Sequence, residues 1–194
     1  MNVAPSATMD QLGNGVIRGS TEGRGEPHLL PFAALRVILS LCYSGFKDSP
    51  WAAVIELSKL YSAGTKKYPP RNWEKGMPLH RFVDSTIRHL RLHHAGDKEE
   101  PHLVQVAWNL CGLLQTHLWI ADRTLPPDGL VEGLPNVVIR HETVQTNLLL
   151  HGRDTDFYLQ QAFNSLCEYV VGKGVSNLID ACACALKAVE IETT

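Results

Sequence analysis

Residues 101–119 read PHLVQVAWNLCGLLQTHLW. Leu103, Val106, Ala107, Leu110 and Leu114 recur there at intervals of three and four, the period of an α-helix with a buried face. The helix is predicted to begin near Glu99 to Pro101 and to run to about Trp119. Upstream, Ala95-Gly96-Asp97-Lys98 breaks another helix that runs from about Leu79 to His94. Two more helices precede it. One extends from Phe32 to about Cys42 behind Pro31; it is almost wholly apolar and therefore buried. The other runs through Val54, Leu57, Leu60 and Tyr61, with Ser49 as its cap and Pro50 at its first position, and stops near Gly64. Residues 32–119 thus read as an all-α unit of about four helices.

The flanks have a different texture. Residues 1–27 hold Gly, Ser, Thr and charge without periodicity and read as a flexible arm. Residues 28–123 form the expected helical domain, and 124–153 a connecting segment rich in Pro and Gly. Within that segment Val137–Ile139 and Thr143–Leu150 suit strand or helix equally. Residues 154–194 regain helical spacing around Gly172-Lys173-Gly174 and read as a helical hairpin. Phe157, Leu159, Phe163, Leu166, Val170, Leu178, Ile179, Leu186 and Val189 are more apolar surface than a solvated tail carries. The hairpin is therefore expected to pack on a neighbouring copy; packing on its own domain is the alternative.

The 194 residues suffice for one domain with a real core. A formal charge of −2 argues against a general nucleic-acid binder. Five cysteines show neither zinc-ligand spacing nor a disulfide framework, and Cys182-Ala183-Cys184 reads as two core or interface thiols. A reducing, cytoplasmic setting fits, with no apolar signal segment and no run of membrane-spanning length.

Local charge says more than the total. Between Gly64 and Arg91 seven Lys/Arg face two acids. The loop 64–76, GTKKYPPRNWEKG, holds four of those cations, an Asn, two large aromatics and two glycines. Such a loop can hold a polyanion beside a flat ring, although a solvated basic face has the same composition. Downstream come Asp84, His89, Glu99, Glu100 and His102. A basic loop followed by carboxylates and histidines is what metal-assisted phosphate chemistry requires.

The order GRGEPHLLP, YSAGTKKYPPRNWEKGMPLHRFVDSTIRHL, a Gly-acid turn and PHLVQVAWNLCGLL resembles the phage dATP/dGTP diphosphohydrolases, the MazZ-like enzymes. These are related to the all-α MazG-type nucleotide pyrophosphohydrolases. The resemblance covers roughly residues 23–120 and is carried by the KYxxxNWxxG core with the RHL and HLxxxAWN stretches. It implies a MazG-like bundle that cuts a purine dNTP to the monophosphate and pyrophosphate with Mg²⁺ or Mn²⁺. It also implies a homodimer or tetramer and a role in phage nucleotide-pool remodelling. The MazG-type ExxE…ExxD signature is not present in plain form.

Residue roles follow from chemistry and resemblance together. Glu56, a hard oxygen donor at a position where the family often has an acid, is assigned to metal, against a plain surface pair with Lys59. His89, Glu99, Glu100 and His102 complete the candidate ligand set, and Glu100 and His102 are also candidates for activating water. Their alternatives are a satisfied core histidine and acids that complement a helix dipole. Lys66, Lys67, Arg71, Lys75 and Arg88 are assigned to the triphosphate, although Arg88 could instead pair with Asp84 four residues away. Asn72 and Asn109 could read the base or fix local structure, and Trp73 could stack on the purine or anchor the loop in the core. The absence of any His-Asp doublet argues against an HD-type triphosphohydrolase. The rivals are a non-catalytic phage accessory protein that binds nucleotide or nucleic acid, and a triphosphohydrolase of another type.

Overall fold

The computed structural model describes residues 9–11, 17–19, 23–43, 46, 50–140, 148, 150 and 153–194. Its body is all-α: α1 (Phe32–Cys42), α2 (Trp51–Gly64), α3 (Leu79–His94), α4 (His102–Ala121), α5 (Thr155–Val170) and α6 (Val175–Thr193). Single 3₁₀ turns occupy Pro27–Leu29 and Asn72–Lys75. Inside the expected arm, β1 (Met9–Gln11) and β2 (Ile17–Gly19) pair antiparallel, with Asp10 opposite Arg18. Ser49 and residues 143–147 lie outside the described residues, and Val137–Ile139 is neither helix nor strand.

Tertiary contacts complete what the local sequence leaves open at two helix starts. Asp154 caps α5, its carboxylate accepting the Phe157 N–H at 2.9 Å. No side chain of its own caps α1. Gln115, buried on α4, does so from across the core: its Oε1 accepts the Ala33 and Ala34 N–H groups at 3.0 and 3.1 Å. Two free amides of the α1 start are thereby satisfied away from water.

α3 and α4 pack closely because residue 112 is glycine. A Cβ there would lie 2.6 Å from Phe82 Cε1. This close approach sets the spacing on which the histidines described below depend.

α6 is the central element, packed against α5, α4, α2 and α1. Residues 181–190 are buried without a break, so the helix is covered on every side. The hairpin packs on its own domain through Leu178, Ile179, Leu186 and Val189 of α6, while Phe157 and Phe163 of α5 stay exposed. α6 also carries a buried ion pair, Lys187 Nζ to Glu190 Oε2 at 2.5 Å, with Lys187 facing the Phe46 ring. Cys182 and Cys184 are core thiols as expected, and Cys167 is exposed. Among the described residues no helix is long and apolar enough to cross a membrane.

Candidate active site

The turn between α3 and α4 brings two imidazoles together. His89, in the last turns of α3, and His102, the first residue of α4, are both buried, with Nδ1 atoms 2.9 Å apart. Arg88 donates to His89 Nε2 at 2.7 Å, and His102 Nε2 lies 2.8 Å from Asp97 Oδ1. The same Asp97 oxygen accepts the Glu99 N–H at 2.9 Å, an Asx turn that shapes the connection.

This chain of contacts determines where the protons are. A guanidinium can only donate, so His89 Nε2 is a bare lone pair. The His89 proton must sit on Nδ1 and point at His102 Nδ1, which accepts it. His102 then carries its own proton on Nε2 and donates it to Asp97. Both rings are neutral in this arrangement. Burial, then the neighbouring Arg88 and His102, push the His89 pKa down to about 4, consistent with a neutral ring. The His102 hydrogen bond first, then the Glu99 amide, hold the Asp97 carboxyl below its usual range.

Glu100 joins the pair. His89, Glu100 and His102 each offer one ligand atom, all within 4.8 Å of one another. The group is compatible with a divalent cation. His102 fits that role best, because a ligating histidine characteristically donates its other N–H to a carboxylate, here Asp97. The one lone pair of His102 Nδ1 accepts the His89 N–H, so both Nδ1 atoms become free for a cation only if Arg88 releases His89 Nε2 and the His89 proton moves there. Two nitrogens and one carboxylate oxygen suit Mn²⁺ better than Mg²⁺, which prefers an all-oxygen shell.

The cluster opens on a cavity of about 350 Å³ lined by Asp97, Glu99, Glu100, His102 and His93, and on its other side by α6. Among the described residues four carboxylates (Asp97, Glu99, Glu100 and Glu192) line it against Lys98 as the one Lys or Arg. A polyanion would be repelled from such a cavity until that charge is offset.

Other predicted residues are placed elsewhere. Glu56 is half-buried on α2 and pairs with Lys59 at 2.6 Å, apart from the His89–Glu100–His102 group. Glu99 is exposed at the cavity rim. Asn109 is buried, and its amide donates to the Gln105 carbonyl at 2.8 Å. Arg88 is engaged by His89, the contact described above.

The basic loop stands at the other end of α4. Trp73 stacks on Trp119, ring centroids 5.4 Å apart and 15° between planes, and also meets Tyr61. Its role as a loop anchor is therefore visible. Tyr68, more than half exposed, is the loop aromatic left free to stack on a ring. Arg71, at φ 60°, donates to the His28 carbonyl at 3.0 Å and pairs with Glu74 at 2.5 Å. Lys66, Lys67 and Lys75 are exposed, and Asn72 is half-buried in the 3₁₀ turn. From Trp119 to His102 along α4 is about 25 Å. Within one chain the loop and the histidine cluster are thus not brought together.

Asp97 escaped sequence reasoning because Gly96-Asp97 read only as a helix breaker; an Asp two residues before another polar residue in a turn was the available signal. Glu192 carried no local signal, since only the path of α6 brings it to the cavity.

A helical bundle that gathers two imidazoles and a carboxylate beside a cavity rimmed by acids is chemically equipped to hold a divalent cation. The family comparison makes this specific: residues 18–123 match the model of dATP/dGTP diphosphohydrolase, N-terminal. The chain belongs to that family and is an enzyme, a hydrolase acting on nucleoside triphosphates. The match spans the region that carries the resemblance in sequence and contains the whole histidine cluster. No curated protein and no solved structure matches the chain.

Proposed function

We propose that this chain hydrolyses dATP or dGTP at the bond between the α and β phosphates, releasing the deoxynucleoside monophosphate and pyrophosphate. The observation that carries the reading is the His89–Glu100–His102 group at a cavity inside the family-matched segment. His89, Glu100 and His102 would hold a divalent cation once Arg88 turns away and the His89 proton passes from Nδ1 to Nε2. Such a cation, Mn²⁺ or Mg²⁺, would polarise a phosphoryl oxygen and lower the pKa of a bound water.

The chain's own groups then have separable tasks. Asp97 holds the proton of His102 on Nε2 and so keeps Nδ1 toward the cluster. Arg88 is the cation beside the cluster and, released from His89, can form paired hydrogen bonds to phosphate oxygens. Lys66, Lys67 and Lys75 belong to the loop that Trp73 anchors on Trp119, about 25 Å along α4 from His102, so their part is steering an anionic substrate rather than stabilising the reacting phosphate. The resemblance adds the setting, phage nucleotide-pool remodelling by a dimer or tetramer, which light scattering can check in its assembly part.

The test is incubation with each dNTP and Mn²⁺ or Mg²⁺, followed by product identification. Monophosphate with pyrophosphate supports the proposal. Nucleoside with tripolyphosphate would establish the triphosphohydrolase alternative. Nucleotide binding without turnover would mean an accessory protein.

A further inference from the structure

The family-matched segment ends at residue 123, yet it does not enclose its own site. Part of the cavity lining is Val189, Glu192 and Thr193, from the last turns of α6. We propose that Glu192 is a catalytic residue contributed by this helix, the carboxylate that takes the proton from the attacking water. The inference rests on the diphosphohydrolase reading above.

Hydrolysis at the α phosphorus needs such an acceptor. As the water oxygen forms its bond to Pα, the bond from Pα to the bridging oxygen breaks. Its electron pair leaves with pyrophosphate, and one water proton must go to a base. The cavity offers four carboxylates. Asp97 is committed to His102 and to the Glu99 amide. Glu100 belongs to the candidate cation group. Glu99 sits exposed in the connecting turn, where nothing fixes a side chain to the tolerance that proton transfer requires.

Glu192 is tied neither to His102 nor to the candidate cation group. It stands on a helix that is otherwise the buried centre of the fold. The last turn is tied down: the Thr193 hydroxyl donates to the Val189 carbonyl at 2.8 Å, and that of Thr194 to the Glu190 carbonyl at 3.0 Å. Its side chain is exposed, as that of Glu99 is, but Oε1 lies 3.5 Å from His93 Nε2 on α3. It lines the same cavity as Glu100 and His102, and the volume of about 350 Å³ has room for a phosphate. The segment beyond residue 123 would thus supply chemistry as well as core.

The experiment compares the full-length parent with Glu192→Gln and Glu192→Asp on dGTP and dATP with Mn²⁺. It measures kcat, KM, Mn²⁺ affinity by calorimetry and the melting temperature. Loss of a general base predicts a fall in kcat of about 10²–10⁴-fold for Glu192→Gln. KM, Mn²⁺ affinity and melting temperature should stay at the parent's values, and Glu192→Asp should recover part of the rate. A Glu192→Gln enzyme with the parent's kcat overturns the inference and leaves the diphosphohydrolase reading standing. A variant that loses Mn²⁺ affinity along with rate also overturns it, since Glu192 would then be a ligand. A parent that releases no pyrophosphate removes the functional reading, and this inference with it.

Discussion

Gly112→Ala adds one methyl group where α3 and α4 meet. The new Cβ would lie 2.6, 3.2 and 3.3 Å from Phe82 Cε1, Cζ and Cδ1. Carbon atoms pack comfortably at about 3.5–4.0 Å, so one helix must retreat by about 1 Å. The ring has little room to turn, because Phe82 is fully buried and packs beside Trp108. Overpacking of this kind costs about 1–3 kcal/mol. Replacing a mid-helix glycine with alanine returns about 1 kcal/mol of helix propensity. The net loss is therefore at most about 2 kcal/mol, a few degrees in melting temperature for a chain of this size. The effect on the site should be disproportionate. His89 rides on α3 and His102 on α4, and their 2.9 Å contact cannot survive a 1 Å separation of the helices. Misplacement on that scale costs about 10²-fold in rate. The assay is kcat/KM on dGTP beside a thermal melt, with Gly112→Ala/Phe82→Leu as the control that relieves the clash. An alanine variant with the parent's kcat/KM would refute the claim that this glycine sets the histidine spacing.

Other outcomes follow from the same geometry. Asp97→Asn should weaken Mn²⁺ binding about 10–100-fold, by loss of the charge that holds the His102 proton, and calorimetry reads this directly. Excess chelator should stop turnover, with Mn²⁺ restoring more activity than Mg²⁺; full activity in chelator would sink the cation reading. Lys187→Met breaks the buried ion pair with Glu190 and should cost about 3–5 kcal/mol by denaturant melt, whereas Lys187→Met/Glu190→Leu should recover most of it. A thiol reagent should modify Cys167 rapidly and the other four cysteines only on unfolding, because Cys42, Cys111, Cys182 and Cys184 are buried. Burial also pushes the Cys42 and Cys184 thiols up to about 11 and about 12, which keeps them protonated at neutral pH.

By itself the sequence determined the helices. Their limits depend on local spacing and on nearby Pro and Gly, so α1 and α3 fall where periodicity places them, Phe32–Cys42 and Leu79–His94. The family was legible for the same reason, since its motifs are contiguous. His89, Glu100 and His102 were visible as candidates because one turn separates them in the chain. Only the tertiary structure decided which candidates share a site. It set the basic loop about 25 Å along α4 from the histidines, a distance fixed by helix rise and packing direction that no local pattern records. It directed the apolar surface of α6 inward and left Phe157 and Phe163 of α5 exposed, because the groove among α1, α2 and α4 accepts one helix buried on all sides. It gave Asp97 its partner in His102 and brought Glu192 to the cavity across nearly a hundred residues of chain. Local sequence sets which backbone torsions are favourable; it cannot set the proximity of side chains that meet only once the core has closed.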